Sequence, residues 1–124
     1  MKKTILAIDD DTDILNIISI ILKNRGYNVI TDTTGNYIEN MQLPFPDLII
    51  LDIALNGNDG RDICKKLKSY QLTAAIPVLF FSANLDLKHI CKEFKADDYL
   101  TKPFEIQDLI KKIEKLMVTD SAGY

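Results

Sequence analysis

The sequence has few of the residues from which metal and redox sites are commonly built. It contains one histidine, His89, and two cysteines, Cys64 and Cys91, which are not spaced as Cys-x-x-Cys. This content excludes the usual zinc sites, and two isolated thiols fit a reducing compartment. We interpret both cysteines as buried or half-buried side chains of amphipathic helices, and we assign His89 no part in the chemistry.

The chain also lacks long hydrophobic runs and an excess of basic residues. No apolar run approaches the roughly 20 residues of a transmembrane helix, and the one near the N-terminus stops at Asp9, too early for a signal peptide. The 124 residues carry 18 acidic and 15 basic side chains, a net charge of −3, which gives no electrostatic case for binding nucleic acid. These absences predict a single cytoplasmic domain that binds neither membranes nor nucleic acid directly.

Three short apolar runs are present, at 5–8, 48–51 and 78–81. Each is continuous rather than alternating, which is typical of a strand covered on both faces, as in a parallel sheet. Weaker strand candidates lie at 27–31 and 98–100.

Apolar residues at helical spacing fill the gaps between these runs. The patterns predict a helix from Ile14 towards a stop at Gly26 and another that begins at Asp59 or Gly60. A third helix is predicted after the candidate N-cap Asp86 and a fourth over the last segment, with a less regular short helix at 36–41. The last helix is predicted to direct five apolar residues inward: Ile106, Leu109, Ile110, Ile113 and Leu116. Strand and helix thus alternate five times, which predicts an α/β fold with a five-stranded parallel, doubly wound sheet.

Polar side chains follow four of the predicted strands. They are Asp9, Asp10 and Asp11 after the first, Asp52 after the third, Ser82 after the fourth and Lys102 after the fifth. Because ligands bind beyond the carboxyl ends of such strands, these groups are expected to meet at one edge of the sheet. Carboxylates suit Mg²⁺, and a lysine with a hydroxyl suits phosphoryl oxygens. Each residue alone is equally explained as a turn residue or a helix cap, and Asp11 or Thr12 as the cap of the first helix. The combination of carboxylates, a hydroxyl and a lysine at four strand ends predicts a site for magnesium and a phosphoryl group.

The stretch that begins at Asp9 partly matches two other known motifs, but it lacks residues that each of them requires. The spacing of Asp9, Asp11 and Asp13 begins like a calcium-binding EF-hand loop, but Ile14 and Ile20 replace the required glycine and glutamate. The same stretch resembles the start of haloacid-dehalogenase-type phosphatases, but Asp13 stands where threonine is expected. No glycine-rich phosphate loop follows the first strand, so a nucleotide cofactor is not supported.

Taken together, the motifs at 5–11, 47–53, 59–60, 81–83 and 97–104 resemble those of two-component response-regulator receiver domains of the CheY-like superfamily. The resemblance covers nearly the whole chain. It implies the (βα)5 flavodoxin-like receiver fold over residues 1–117, with 118–124 as a polar tail or the stub of a linker.

The resemblance also implies a role for each site residue. Asp52 would be phosphorylated, with Lys102 and Ser82 contacting the phosphoryl group. Mg²⁺ or Mn²⁺ would be held by Asp10 and Asp52, by Asp9 through a water, and by the backbone carbonyl of Ala54. The remaining implied roles are conformational switching by Ser82 and Tyr99, tuning of the phosphoryl lifetime by Ala54 and Asn84, and a cis peptide bond between Lys102 and Pro103.

The function implied by the resemblance is signal transfer. A histidine kinase or histidine phosphotransfer protein would pass a phosphoryl group to Asp52, and the surface of the fourth helix, fifth strand and fifth helix would switch towards an effector protein. The domain would catalyse its own phosphorylation and slow dephosphorylation, as a monomer or a phosphorylation-favoured homodimer. One alternative is an interaction module on the same fold that does not depend on phosphorylation. Another is a metal-dependent phosphatase for small molecules, for which the chain has no spare cap segment.

Two stretches differ from the family's usual pattern. The usual Leu-Pro-Gly-Met-Asp-Gly appears as Leu-Asn-Gly-Asn-Asp-Gly at 55–60, so the fixed φ of a proline is absent and a looser loop is expected. Lys95 stands where glycine is common, and a positive φ at that position would be strained.

Overall fold

The computed structural model describes residues 2–118, so the expected tail at 118–124 lies outside the described residues except for the backbone of Val118. The elements in chain order are β1 (Thr4–Ile8), α1 (Thr12–Asn24), β2 (Asn28–Asp32), a 3₁₀ helix (Asn36–Asn40), β3 (Leu48–Leu51), β4 (Ala54–Leu55), β5 (Asn58–Asp59), α2 (Gly60–Ser69), β6 (Val78–Ser82), α3 (Leu87–Glu93), β7 (Asp98–Thr101) and α4 (Ile106–Val118).

A five-stranded parallel sheet forms the centre of the molecule, in the order β2-β1-β3-β6-β7. The two remaining strands, β4 and β5, form a small antiparallel ribbon between β3 and α2. The chain leaves β1 for one edge of the sheet and later crosses to the other, so the order of strands reverses between β1 and β3. The predicted parallel, doubly wound α/β fold is confirmed.

Successive residues of each strand face two separate cores. In β1, Ile5 and Ala7 pack beneath α1 and α4, whereas Leu6 and Ile8 pack beneath α2 and α3. All four are at most 1% exposed. Burial on both faces explains why the strand sequences are continuous apolar runs without alternation.

The ends of the helices follow local capping rules with one exception. Asp11, rather than Thr12, caps α1, because its carboxylate accepts from the N–H groups of Asp13 and Ile14. Asp59 caps α2 in the same way. Asp86 occupies the N-cap position of α3 but makes no side-chain capping bond, and its own N–H donates to Asn84 Oδ1 instead.

The predicted helix at 36–41 is a 3₁₀ helix of five residues, Asn36–Asn40. Gly35 precedes it with a φ of 88°, and Ile63 Cδ1 occupies the place of a side chain there. Pro44 and Pro46 follow, and because proline cannot continue a helix, little room is left for further turns. The Leu43–Pro44 peptide bond is cis.

The helix α3 ends in a Schellman motif. The N–H of Lys95 donates to the carbonyl of Lys92, and that of Ala96 to the carbonyl of Cys91. Lys95 has a φ of 61°, so a lysine stands in a left-handed position that favours glycine. The helix α1 ends in the same motif, with Gly26 at the equivalent position and a φ of 93°.

The inward direction predicted for Ile106 is wrong, since this side chain is 50% exposed. Ile106 is the first residue of α4, and the helix joins the core only from Leu109 onward. The other four residues of the predicted stripe are buried. Among the described residues, no helix is both long enough and apolar enough to span a membrane.

Candidate functional site

Two aspartates meet where the central strands β1 and β3 end. Ile8 and Leu51 are paired in the sheet, so the residues that follow them, Asp9 and Asp52, lie side by side. The N–H of Asp52 donates to the carbonyl of Ile8 at 2.9 Å, which extends this pairing. Asp9 is 1% exposed and Asp52 is 4% exposed, so both carboxyl groups are buried at the carboxyl edge of the sheet.

Asp10 completes a cluster of three carboxylates. One carboxylate oxygen from each of Asp9, Asp10 and Asp52 lies within 4.8 Å of the others. Asp10 is exposed, so the cluster is buried on one side and open on the other. The sequence-based expectation that these residues converge therefore matches their placement in the fold.

Lys102 brings an ammonium group to the cluster from the end of β7. Its Nζ lies 2.7 Å from Asp9 Oδ2 and donates to Asp52 Oδ2 at 3.1 Å. The backbone N–H of Lys102 donates to the carbonyl of Ser82, and its peptide bond to Pro103 is cis. These backbone features hold the lysine beside the two aspartates.

The burial and charge of the cluster alter its protonation. Burial raises the pKa of Asp52, and the nearby charge of Asp9 acts in the same direction, while the bond from Lys102 opposes both. Burial by itself would lower the pKa of Lys102, but its contacts with Asp9 and Asp52 outweigh burial and raise the pKa above its usual value. The lysine is therefore held in its charged form.

The cluster fits an additional hard cation. Three carboxylates face a single ammonium group, so negative charge remains in excess. Asp9 Oδ1 accepts from the N–H of Asp11, but the buried Asp9 Oδ2 has only its ion pair with Lys102 and no partner in hydrogen-bond geometry among the described residues. Oxygen donors around excess negative charge are the environment that Mg²⁺ selects.

Ser82 and the loops around the cluster supply neutral polar groups. Ser82 ends β6, the neighbour of β3, is 5% exposed, and its Oγ accepts from the N–H of Asn84 at 3.2 Å. The N–H of Ala54 donates to Asp52 Oδ1 at 3.2 Å. Ala54 and Asn84 are both exposed, Ala54 at the start of β4 and Asn84 in the loop that follows Ser82.

Tyr99 lies away from the carboxylates, in the edge strand β7. Its position in the sheet is opposite Phe80, two residues before the pair of Ser82 with Thr101. The ring is half-buried against the core beneath α2 and α3, and Lys112 Nζ lies 5.0 Å from the ring centroid. A residue of α4 thus contacts the ring.

Gly60 is a residue whose contribution the sequence did not reveal. It begins α2, and a Cβ built at this position would overlap the carbonyl oxygen of Asp52. The motif Asp59-Gly60 was recognised in the sequence, but nothing in its local pattern indicated contact with residue 52, eight positions earlier. The contact arises because β3 and α2 are brought together by the ribbon between them.

Comparisons with known proteins agree with this geometry. The family model described as the response regulator receiver domain matches residues 5–114. The chain is 37% identical to the DNA-binding dual master transcriptional regulator RpaA of Synechocystis over 116 residues, which cover 91% of this chain and 48% of the relative. It is 33% identical to the alkaline phosphatase synthesis transcriptional regulatory protein PhoP of Bacillus subtilis over 120 residues, which cover 94% of this chain and 49% of the relative. The chain therefore spans about half the length of these curated relatives.

A solved structure shows the same fold over almost the whole chain. It is that of a putative response regulator from Chloroflexus aurantiacus, which is 30% identical, superposes with a TM-score of 0.89, and covers 95% of this chain and 99% of that one. The family match extends over most of the chain, and the acidic edge lies where the family's motifs lie. The chain belongs to the family of response regulator receiver domains, the phosphorylation-controlled modules of two-component signalling.

Proposed function

We propose that Asp52 accepts a phosphoryl group from the phosphohistidine of a histidine kinase or phosphotransfer protein, in a Mg²⁺-dependent reaction. The observation that carries this proposal is the position of Asp52. Its buried carboxylate lies 3.1 Å from Lys102 Nζ, beside Asp9 and Asp10, at an edge that is open towards solvent. A nucleophilic oxygen, a fixed cation and a set of oxygen donors for a metal are the parts that phosphoryl transfer requires.

In this proposal the metal is held by Asp10, Asp52 and the backbone carbonyl of Ala54, with Asp9 acting through a water; the clustering of the three carboxylates supports it. Mg²⁺, or Mn²⁺ in its place, supplies neutralisation of the phosphoryl oxygens when bound. An oxygen of Asp52 attacks phosphorus, the bond from phosphorus to the imidazole nitrogen breaks, and the imidazole leaves with the bonding electrons. Lys102 then exchanges its contact with Asp52 Oδ2 for one with a phosphoryl oxygen, which keeps the new charge paired.

Phosphorylation is communicated through Ser82 and Tyr99. The Ser82 hydroxyl, whose oxygen accepts from the N–H of Asn84, donates its own hydrogen to the phosphoryl group and draws its loop inward. Tyr99 then occupies the space that the loop leaves. The altered surface comprises α3, β7 and α4, the fourth helix, fifth strand and fifth helix of the family's order, and it binds an effector protein or a second copy of the domain differently in the two states.

The same site returns the switch to its starting state. Attack of water on the acyl phosphate of Asp52 releases inorganic phosphate without a separate substrate pocket. Ala54 and Asn84, both exposed on the segments that follow Asp52 and Ser82, tune this lifetime, because the methyl group of Ala54 cannot orient a water whereas the amide of Asn84 can. We assign residues 1–117 to the receiver domain and 118–124 to a tail or linker, and we place its action in the cytoplasm, where Cys64 and Cys91 remain reduced thiols.

The test uses acetyl phosphate as a small phosphodonor. The wild-type chain with Mg²⁺ is expected to gain one phosphoryl group by intact mass, and the Asp52→Asn variant none. Asp11→Asn is the matched control, since it removes a neighbouring charge that caps α1, and asparagine caps a helix equally well. Equal labelling of the Asp52→Asn variant would disprove the assignment.

Beryllofluoride, a mimic of the phosphoryl group, distinguishes the alternative of a phosphorylation-independent interaction module. The proposal requires that beryllofluoride binds only when Mg²⁺ is present and only when Asp52 is intact. A chain that binds neither Mg²⁺ nor beryllofluoride would be an inert module on the receiver fold.

A further inference from the structure

Lys112 connects α4 to the edge strand β7 through two contacts. Its Nζ lies 3.0 Å from Asp98 Oδ1 and 5.0 Å from the centroid of the Tyr99 ring. Asp98 Oδ1 also accepts from the backbone N–H of Tyr99 at 2.8 Å, so one carboxylate oxygen holds both the lysine and the tyrosine backbone. The side chains of Lys112 and Asp98 are 31% and 17% exposed. Partial shielding from water strengthens both the ion pair and the cation–π contact.

The fold determines how Lys112 reaches the tyrosine. In the described part of the chain, β7 pairs with β6 alone, so its other edge is free. Tyr99 packs against the core beneath α2 and α3, whereas Leu109 and Ile113 of α4 pack into the core on the opposite face of the sheet. Lys112 therefore reaches the ring around the free edge of β7. Ser82 lies in the other direction, at the end of β6.

We propose that Lys112 is a positioning residue of the conformational switch, whose ammonium holds the Tyr99 ring in its unphosphorylated position. The inference rests on the proposed function, in which the ring moves into the space left by the loop of Ser82. That movement takes the ring away from the free edge of β7. Because Asp98 anchors the ammonium, Lys112 does not follow the ring, and the cation–π contact is lost.

The contact of Lys112 with the ring therefore opposes phosphorylation. It stabilises the unphosphorylated conformation and not the phosphorylated one, so it lowers the population of the state that binds the phosphoryl group best. The apparent affinity for a phosphoryl mimic falls with that population. Removal of the contact is expected to raise the affinity, although residue 112 touches neither the metal nor the phosphoryl group in this proposal.

The neighbouring lysines of α4 lack these contacts. Lys111 and Lys115 are exposed. Within residues 2–118, neither forms an ion pair with a carboxylate or lies over an aromatic ring. Loss of the Lys111 charge changes the surface of α4 without changing what holds Tyr99, so Lys111 provides a matched control.

The experiment measures the affinity of the full chain for beryllofluoride with Mg²⁺ in excess. Lys112→Met removes the charge and keeps a long side chain. It is expected to bind beryllofluoride about two- to fivefold more tightly than the wild type, which is the factor that one cation–π contact supplies. Lys112→Arg keeps the charge and both contacts, so it should bind like the wild type. Lys111→Met should also bind like the wild type.

A double-mutant cycle tests whether Lys112 acts through the ring. Tyr99→Leu removes the ring, and in this background Lys112→Met should no longer change the affinity for beryllofluoride. An effect of Lys112→Met that is the same with and without the ring would overturn the inference, because the lysine would then act by another route.

Amide chemical shifts report the switch at a distance from the substitution. In the free Lys112→Met variant, the shifts of residues 82–86 should move from those of the free wild type towards those of the beryllofluoride-bound wild type. A purely structural role would confine the changes to residues around 98, 99 and 112, and that result would overturn the inference.

The affinities separate this inference from the proposed function. Unchanged or weaker binding of beryllofluoride by Lys112→Met, or an equal gain in Lys111→Met, would overturn the inference and leave the proposed function intact. The same holds if Lys112→Arg binds like Lys112→Met. A wild-type chain that binds no beryllofluoride would disprove the proposed function, and this inference would fall with it.

Discussion

Gly60 packs its Cα against the carbonyl oxygen of Asp52, so closely that any side chain at residue 60 would overlap that oxygen. The N–H of Gly60 also donates to the carbonyl of Ile53 at 2.8 Å. The first residue of α2 therefore contacts the backbone of Asp52, the proposed phosphorylation site, and of the next residue, Ile53. The absence of a side chain at residue 60 allows the aspartate to keep its position at the end of β3.

We expect Gly60→Ala to reduce both stability and phosphorylation. The added methyl group must displace the backbone at Asp52, and overpacking of this kind costs about 1–3 kcal/mol of the free energy of unfolding. Urea denaturation measures the first effect, and labelling by acetyl phosphate at a temperature where the variant is folded measures the second.

Gly57→Ala is the control for this change. Gly57 has a φ of 82°, but no atom lies within 4 Å of the place that a Cβ would occupy, so alanine there brings backbone strain without a clash. We expect this variant to lose stability and to keep the wild-type rate of labelling. A Gly60→Ala variant that is labelled as fast as Gly57→Ala would contradict the positioning role of Gly60.

Magnesium is expected to stabilise the folded chain. A cation that binds only the folded state raises its stability by mass action, by about 3 kcal/mol when its concentration is about a hundred times Kd. Thermal unfolding with and without Mg²⁺ measures this gain, and a chelator should reverse it.

The neighbouring aspartates separate metal binding from a general charge effect. Asp10→Asn should abolish the Mg²⁺-dependent rise in Tm, because it removes one of the three clustered carboxylates. Asp11→Asn removes the same charge from the adjacent residue and should keep the rise. Loss of the effect in both variants would indicate nonspecific screening rather than a metal site.

Replacing Lys95 by glycine is expected to stabilise the chain. A side chain in the left-handed region destabilises the folded state by about 1–2 kcal/mol, and glycine removes this strain. Glycine also has more conformational freedom in the unfolded state, which offsets part of the stabilisation. We therefore expect a net increase of up to about 1 kcal/mol in the free energy of unfolding, measured by urea denaturation. Gly26→Lys, at the equivalent position of α1, should shift stability in the opposite direction.

The thiol of Cys64 is expected to be unreactive in the folded chain. Burial raises its pKa to about 11, with smaller contributions from neighbouring charges. A thiol-specific disulfide reagent at pH 8 should therefore label it only after unfolding. Rapid labelling of Cys64 in the native protein would contradict this environment.

The same shift makes stability depend on alkaline pH. The folded-state pKa of Cys64 is raised above its unfolded value, because the buried thiol resists ionisation. The contribution of the protonated thiol to the free energy of unfolding is therefore fully present below pH 9 and is lost as the pH rises towards 11. Because lysines and tyrosines titrate in the same range, the measurement is the difference between wild type and Cys64→Ala. The variant should show the shallower fall in stability.

Local sequence patterns determined the five strands of the central sheet, the start of α1 at Asp11 or Thr12, and the edge at which the site residues meet. A strand covered on both faces must be apolar throughout, and parallel strands bring their carboxyl ends to one edge, so the positions of Asp9, Asp52 and Lys102 followed from the chain order. The sequence also showed that Lys95 stands where glycine is common, but the positive φ of this residue was established by the structure.

Tertiary structure decided what depends on segments distant in the sequence. Ile106 fits a helical stripe but lies beyond the core, and the pattern at 36–41 forms only a 3₁₀ helix before Pro44. The contacts of Gly60 with Asp52 and of Lys112 with Tyr99 depend on how the ribbon and neighbouring helices pack. Hydrophobic periodicity indicates which side of a helix or strand is apolar. Whether another element covers that side is decided by contacts between distant segments, which form only in the folded chain.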